Sequence, residues 1–320
     1  MTRLEAARRA IHFETPPYIP IVRFENLERA DIVKIPVERH YDVQDGTMSD
    51  WGFQWEKKNV ALAMGQPKRP ALPDWDMLPQ YKPVPIEADA HRFDRAKELM
   101  AAYPGRYYLA DFALSGFTIM SFIRGFSDLL TDFYEEPEHV EALADIVFSR
   151  EEELIRLCAA QGFHGICLAD DMGTQQNLLF SKEIFRTYFK PRFSHQIDLA
   201  HSLGMDVYLH SCGNVFELIP EFIDIGLDIM NTGQPSLNGI ARMALEYGDD
   251  VCFSLPVGYQ TTAVAGTLED VEKELLQYID CFAKKKGGFL ALVLRGYEDV
   301  FGTEKQQKII EIYDKHCGRD

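Results

Sequence analysis

Short apolar segments alternate along the chain, from about residue 105 onward, with longer segments in which apolar positions recur every three or four residues. The short segments are rich in β-branched and aromatic residues, which predicts buried strands, and the longer ones predict amphipathic helices. The predicted strands are 107–112, 165–170, 206–211, 227–231, 251–256 and 289–294. Strict alternation of strands and helices favours a parallel sheet, and so many units favour an α/β (βα)8 TIM-type barrel.

Capping residues predict where individual helices begin and end. Ser181 is a suitable N-cap for a helix over 181–204, and Gly204 is a suitable stop. Pro191 lies inside this segment and should kink or break it. Thr267 and Asp270 have the spacing expected at the start of a later helix.

The N-terminal third has a different pattern. Residues 14–86 are rich in proline and aromatic residues, and only 18–24 resembles a strand there, which we interpret as the first of the barrel. We expect the rest to form an elaboration over the barrel mouth, in which Trp51, Phe53 and Trp55 either line an apolar pocket or pack in the core. Because no flexible linker is visible, we predict one domain over 1–320, with 1–100 as the elaboration and 101–320 as the main repeats.

Composition excludes several classes of protein. The formal net charge of −17 over 320 residues argues against a nucleic-acid partner, which would need a basic surface. The longest apolar stretches fall far short of the ~20 residues that span a bilayer, and the first residues show no secretory signal. The six cysteines form no C-x-x-C pair, so we expect a reducing, cytoplasmic location.

The segment His210-Ser-Cys212-Gly contains the strongest candidate chemistry. On a strand alternate residues share a face, so Tyr208, His210 and Cys212 should point together toward the barrel axis or its mouth. Barrel enzymes keep their catalytic groups at the carboxyl ends of strands. An imidazole and a thiolate suit zinc, although a buried cysteine beside a hydrogen-bonded core histidine would show the same spacing.

Polar residues also follow the two neighbouring predicted strands. Asp170 and Asp171 end the preceding strand, and a polar run extends from there to Asn177. One of these carboxylates would reach the His-x-Cys site, unless the acids only cap a helix. Asn231 and Gln234 follow the next strand and would line a pocket, although loops of this composition are usually turns.

Several motifs in order resemble the uroporphyrinogen decarboxylase superfamily. They are an acid pair (170–171), a KPR segment (190–192), the HSCG strand end (210–213), an IG-D turn (225–228) and an N–Q-P loop (231–235). The N-terminal segment RRAIHFETPPYIPI and the later GTLEDV and GGF segments resemble the family as well. The resemblance covers nearly the whole chain and is closest to the corrinoid-dependent methyltransferase branch.

The chain departs from the pattern of the true decarboxylases. Those enzymes carry an arginine-rich N-terminal motif, an early strand-end aspartate and a late histidine in a G-H-G setting, and we find none of the three in this sequence. Thiol-methylating members have a further cysteine after the final GG strand, where this chain has Leu294-Arg295-Gly-Tyr-Glu298. These differences argue against uroporphyrinogen as the substrate and against a thiol as the methyl acceptor.

The resemblance implies zinc held by His210 and Cys212. It leaves the third ligand open among Asp171, Asp170, Cys252 and Glu298, and we prefer a carboxylate, Asp171 first. Cys252 would lie too deep and Cys317 lies in the last helix. We expect Asp170, Asp171 and Tyr208 to be catalytic. For substrate contacts we expect Asn177, Asn231, Gln234 and Arg295.

The leading hypothesis is therefore a zinc-dependent methyltransferase that transfers a methyl group from a small substrate, such as a methoxylated aromatic, to a corrinoid carried by a partner protein. A decarboxylase acting on a tetrapyrrole or another carboxylate is the alternative enzyme. A non-catalytic ligand-binding member of the fold is the third interpretation.

Overall fold

Eight parallel strands close into a barrel. The computed structural model of the chain describes residues 1–24, 26–38, 45–56, 65–283, 286–294 and 298–318. The strands within these ranges are Ile21–Arg23 (β1), Ile32–Pro36 (β2), Gln54–Glu56 (β3), Gln66–Arg69 (β4), Tyr107–Asp111 (β5), Gly165–Ala169 (β6), Asp206–Ser211 (β7), Ile229–Thr232 (β8), Cys252–Leu255 (β9) and Phe289–Val293 (β10). Around the barrel they follow the order β1-β10-β9-β8-β7-β6-β5-β2, and β3 and β4 form a separate antiparallel pair.

Helices surround the barrel, and in the described part of the chain none is long and apolar enough to cross a membrane. The α-helices there are Arg3–Ile11 (α1), Asp94–Ala102 (α2), Gly116–Arg124 (α3), Phe126–Glu135 (α4), Pro137–Gln161 (α5), Lys182–Ile184 (α6), Lys190–Ser202 (α7), Ile219–Asp224 (α8), Pro235–Asn238 (α9), Ile240–Tyr247 (α10), Thr262–Ala265 (α11), Leu268–Tyr278 (α12), Glu298–Phe301 (α13) and Thr303–His316 (α14).

The predicted barrel is confirmed, and its six predicted strands are present with ends within two residues of the expected ones. Ser181 caps α6, and Thr267 forms a capping box with Asp270 at the start of α12. The break expected near Pro191 appears as a π-helical segment, Phe185–Phe189, between α6 and α7. Local capping and proline geometry therefore determined these helix boundaries.

The N-terminal third contributes more to the barrel than the sequence pattern indicated. Ile32–Pro36, which we had placed in the elaboration, is the barrel strand β2 between β1 and β5. The strand was missed because it lies in a segment rich in proline and aromatic residues, before the alternation of strands and helices begins.

The described part of the elaboration packs on the helical layer beside the barrel. Phe53 and Trp55 each make an edge-to-face contact with Phe122 of α3, at 5.5 and 5.8 Å between ring centroids. Trp75 stacks on His139 of α5 at 5.2 Å. Trp51, Phe53 and Trp55 are each at most 2% exposed, so of the two roles considered for them the structure shows core packing and not the lining of a pocket.

Helix α1 closes the amino end of the barrel. Ala7, Ala10 and Ile11 join the apolar cluster that fills the barrel interior, together with Val22 and Leu290. The Gly288 N–H donates to the Ala10 carbonyl at 2.7 Å, which ties the helix to the start of β10. The barrel interior is thus sealed at one end, and its carboxyl end remains as the mouth.

Two histidine–carboxylate contacts join the elements at the sealed end. His12 Nε2 lies 3.0 Å from Asp206 Oδ1, and the Tyr107 hydroxyl donates to Asp206 Oδ2 at 2.7 Å. His201 Nε2 lies 2.8 Å from Asp228 Oδ2. The hydrogen bond to Asp206 raises the pKa of His12 above its usual value, against the opposing effect of burial.

We predict that His12→Gln destabilises the fold more in mild acid than in alkali. A histidine whose pKa is raised in the folded state stabilises that state fully below its unfolded pKa, about 6.5, and loses this contribution as the pH rises through the folded pKa. Urea unfolding of both proteins at about pH 5.5 and about pH 9 measures the difference. An equal loss at both pH values would contradict the assignment.

Candidate functional site

The end of β7 brings an imidazole and a thiol together at the barrel mouth. His210 is the fifth residue of β7, and Cys212 is the first residue after the strand ends. Cys212 Sγ lies 3.4 Å from His210 Nε2, so the two side chains share one face as strand alternation requires. Both side chains are half-buried, which leaves them accessible from the mouth.

Asp171, just after β6, completes a three-residue cluster. Its Oδ1 lies 3.7 Å from His210 Nε2, and the donor atoms of Asp171, His210 and Cys212 all lie within 4.8 Å of one another. The same oxygen accepts the backbone N–H of Cys212 at 2.9 Å, which fixes the carboxylate against the end of β7. Its side chain is 49% exposed, so the cluster opens to solvent on this side.

The cluster has the dimensions of a zinc site. Ligands at about 2.0–2.3 Å from a tetrahedral zinc lie roughly 3.3–3.8 Å apart. The two distances measured from His210 Nε2, 3.4 Å to Cys212 Sγ and 3.7 Å to Asp171 Oδ1, fall in that range. Imidazole, thiolate and carboxylate are the ligands that zinc takes in proteins, and three of them leave one position open. The residues present therefore fit the metal that the resemblance implied.

Asn231 orients His210. Its Oδ1 contacts His210 Nδ1, and its amide nitrogen donates to the Ser254 carbonyl, which fixes which way the amide faces. With Nδ1–H donating to Asn231, the lone pair of a neutral imidazole is on Nε2, the nitrogen that faces Cys212. Asn231 is 3% exposed, so the structure places it behind the histidine, whereas we had expected it to contact substrate.

The charges around His210 favour its protonated form in the absence of a metal. Burial lowers the pKa of His210, but the Cys212 sulfur and the Asp171 carboxylate raise it by more than burial lowers it. The pKa of His210 is therefore about 9, above its usual value. A bound cation would replace that proton, because a metal ligand must be the neutral imidazole.

Asp170 points away from the cluster. Its carboxylate accepts the backbone N–H groups of Phe117 and Thr118, each at 2.8 Å, and so caps the start of α3. The Thr118 hydroxyl also donates to Asp170 and accepts the N–H of Asp171 at 3.0 Å. Burial raises the pKa of Asp170 to about 7, although the bonds from α3 lower it. Asp170 therefore caps a helix, which was the alternative considered for the acid pair. Its position does not support a catalytic role.

Tyr208 lies one layer deeper than His210 on the same inward face. It is 4% exposed and belongs to the interior cluster of the barrel, and burial raises the pKa of its hydroxyl. Lys34 Nζ stands 5.8 Å from the centroid of its ring. The catalytic role of Tyr208 stays a prediction.

From the sequence we found no early strand-end aspartate of the kind that the decarboxylases carry, and the structure shows that this was wrong. Asp111 ends β5, and it pairs in register with Cys167, an interior residue, so its carboxylate faces the barrel interior. Lys34 Nζ lies 3.2 Å away. The chain thus does carry an aspartate at an early strand end, and only the arginine-rich motif and the late histidine remain as differences.

The other predicted substrate contacts are distributed differently. Gln234 is buried, and its Oε1 accepts the Gly213 N–H, which holds the turn after β7. Asn177 closes the exposed turn after β6 through its backbone, whose carbonyl accepts the Thr174 N–H at 2.7 Å. Arg295 and the Glu298 side chain lie outside the described residues.

The two cysteines considered as further ligands are remote from the cluster. Cys252 is fully buried in the barrel interior at the start of β9, and Cys317 is the buried C-cap of α14. Their positions agree with the preference for a carboxylate as third ligand.

Two residues at the site were missed by sequence reasoning. Tyr259, in the turn after β9, has its hydroxyl 3.3 Å from Cys212 Sγ. Gly233 follows β8, and a Cβ there would stand 2.8 Å from Cys212 Sγ and 3.1 Å from His210 Cε1. Each lies just past the carboxyl end of a barrel strand, and that position was the signal that would have found them.

A second group of potential ligands, His12, Asp206 and Asp228, lies at the sealed end of the barrel. Its atoms are engaged in the bonds that join α1, β5 and β7, including the Val207 N–H to Asp228 Oδ2 at 2.7 Å. This end of a barrel serves stability, so these bonds account for the group.

The family model for uroporphyrinogen decarboxylase matches residues 60–292, which is more than half of the chain. The chain belongs to the uroporphyrinogen decarboxylase family. The match includes β6 to β9 and therefore the whole Asp171–His210–Cys212 cluster. No curated protein matches the sequence.

Solved structures agree with the fold expected of this family. A methyltransferase from Methanosarcina mazei superposes with a TM-score of 0.72 at 14% identity, covering 98% of this chain and 99% of that one. The 3-keto-D-glucoside 4-epimerase YcjR from E. coli gives a TM-score of 0.47 at 13% identity, covering 70% of this chain and 85% of that one. At such identity the first similarity shows a shared fold, and the second is too weak to support an argument.

We predict that Asn231→Leu weakens metal binding without unfolding the protein. Loss of the partner that orients a metal-ligating histidine typically lowers metal affinity by about 10–100-fold. Asn231→Asp keeps an acceptor for His210 Nδ1 and should retain more of the affinity. Competition with a zinc chelator measures both variants, and circular dichroism reports folding. A folded Asn231→Leu protein with wild-type affinity would contradict the role.

Proposed function

We propose that this member of the uroporphyrinogen decarboxylase family is a zinc-dependent methyltransferase that passes a methyl group from a small ether, such as a methoxylated aromatic, to a corrinoid protein. The observation that carries the proposal is the Asp171–His210–Cys212 cluster at the barrel mouth. The resemblance to the corrinoid-dependent branch and the fold shared with a methyltransferase support it. The free cysteines and net charge of −17 fit a cytoplasmic enzyme with no nucleic-acid partner.

Three side chains would hold the ion, and a fourth position would remain for substrate. Zinc bound there would supply Lewis acidity toward the ether oxygen. In the overall reaction the O–CH3 bond breaks, the oxygen keeps that electron pair, and cobalt(I) of the corrinoid supplies the pair for the new Co–CH3 bond. Negative charge thus develops on the oxygen, and stabilising that charge in the transition state accelerates the reaction.

The protein's own contribution is to orient these groups and to bind the apolar part of the substrate. Asn231 keeps Nε2 of His210 directed at the site, and the Cys212 N–H holds the Asp171 carboxylate beside it. Phe24 and Leu294, one residue beyond β1 and β10, are half-buried against the interior cluster and lie at the mouth. An aromatic ring would pack against them.

The decarboxylase alternative shares the fold and the inward Asp111. Decarboxylation of uroporphyrinogen would need groups for several carboxylates, and the sequence has neither the arginine-rich motif nor the late histidine of those enzymes. Incubation of the protein with a reduced corrinoid protein and a methoxylated aromatic, in parallel with uroporphyrinogen, distinguishes the two reactions. Methylcobalamin formation supports the proposal, and carbon dioxide release from uroporphyrinogen supports the alternative.

We predict that His210→Ala and Cys212→Ala each abolish zinc uptake and methyl transfer together while the barrel still folds. Residues at the carboxyl end of a barrel strand serve the site, and loss of a group that stabilises the leaving oxygen lowers the rate by ~10² or more. Zinc content by atomic emission and methylcobalamin formation are the measurements. Asp171→Asn should behave in the same way if the carboxylate is a ligand.

Cys281→Ala is the matched control, since this half-buried cysteine lies on the helical layer after α12. It should leave zinc content and rate unchanged. A Cys212→Ala protein that keeps full activity, or one that fails to fold while Cys281→Ala folds, would return Cys212 to a packing role.

A further inference from the structure

A tyrosine from a fourth strand end reaches the cluster. Tyr259 lies in the turn after β9, and its hydroxyl is 3.3 Å from Cys212 Sγ, within the range of an O–H···S hydrogen bond. Tyr259 is half-buried, so its ring is partly shielded from solvent. The three candidate ligands come from the ends of β6 and β7, and Asn231 comes from β8, so Tyr259 adds a fourth strand end to the site.

Side chains of α12 hold the turn that carries Tyr259 in place. The buried carboxylate of Glu274, on α12, accepts the Gly258 N–H at 2.9 Å. The hydroxyl of Tyr278 contacts the same carboxylate and donates to the Pro256 carbonyl at 3.1 Å. A Cβ at Gly258 would stand 2.5 Å from Thr261 Oγ1, so a larger residue there would displace the Thr261 side chain. Tyr259 is therefore presented by a rigid element.

The turns after β6 and β8 also contact the turn that carries Tyr259. Gln260 Oε1 accepts a hydrogen bond from Gln175 Nε2 at 3.1 Å, which joins the turns that follow β9 and β6. A Cβ at Gly233 would lie 3.0 Å from the Tyr259 hydroxyl, so the backbone after β8 fills the space beside it. These contacts join the Tyr259 turn to the turns after β6 and β8, with the hydroxyl beside Cys212.

We propose that Tyr259 is a positioning residue of the metal site, whose hydroxyl donates a hydrogen bond to the Cys212 thiolate. The inference rests on the proposed function, because it assigns Tyr259 to the support of a bound metal. A hydrogen bond to a ligating sulfur withdraws electron density from it and fixes its direction. With a metal bound, the Cys212 thiolate would donate less charge to it, and the metal would be a stronger Lewis acid toward the substrate oxygen.

Tyr259→Phe tests this with little change in shape. In cobalt(II)-substituted protein, loss of the hydrogen bond raises the energy of the sulfur lone pairs, so the sulfur-to-cobalt charge-transfer band should move to longer wavelength. Zinc affinity measured by chelator competition should fall by about 10-fold, the lower end of the range for partners of metal ligands. Tyr134→Phe, at a side chain that is 74% exposed on α4, is the matched control and should reproduce the wild type.

A second pair of variants tests the anchor. Glu274→Gln keeps an acceptor for the Gly258 N–H and should retain the wild-type spectrum, whereas Glu274→Leu should shift the band as Tyr259→Phe does. This pair also gives an answer if Tyr259→Phe fails to fold.

The outcomes separate this inference from the proposed function. Wild-type protein that takes up neither zinc nor cobalt overturns both. Wild-type protein that binds metal, with a Tyr259→Phe variant of the same spectrum and the same affinity, overturns the inference alone and leaves the proposed function standing. A shifted band with wild-type protein that is inactive toward methyl ethers supports the role of Tyr259 and counts against the proposed substrate.

Discussion

Closure of the barrel is the constraint on which the site depends. Because the eight strands are parallel and closed, all their carboxyl ends meet at one mouth, and every second side chain of each strand faces inward. Register carries this face from strand to strand: Ala169 pairs with His210, and His210 pairs with Asn231. Asp171 and Cys212 extend these inward rows. They are therefore neighbours in space although they lie far apart in the sequence.

Polar groups at the mouth stabilise one another in pairs across strand ends. The Cys212 N–H binds the Asp171 carboxylate, and Asn231 binds His210 and the Ser254 carbonyl. A buried or half-buried polar group without a partner costs about 1–3 kcal/mol, so such chains of partners are what allow a polar cluster at the end of an apolar interior. Each partner also fixes a direction, which is the requirement for a metal site that keeps its geometry.

The two ends of the barrel carry different tasks. At the sealed end, α1 fills the opening with small apolar side chains, and histidine–carboxylate contacts join it to the strands. At the mouth, small residues make room for a site: a Cβ at Gly213 would stand 2.2 Å from the backbone of Gly173, so the turns after β6 and β7 touch directly. Absence of side chains in these turns lets Asp171 approach Cys212.

The barrel, most of its strands, several helix caps and the shared face of His210 and Cys212 could be predicted from the sequence, because they follow from periodicity and local backbone chemistry. The strand pattern did not show which of Asp170 and Asp171 faces His210, since the apolar residues of β6 suit either face, although Asp171 was the preferred ligand. It also gave no indication that Ile32–Pro36 joins the barrel, that Asn231 binds His210, or that Tyr259 reaches Cys212. Only the tertiary structure decided these points, because strand register and barrel closure join residues 20 to 50 positions apart, and no local pattern records which distant strand ends meet.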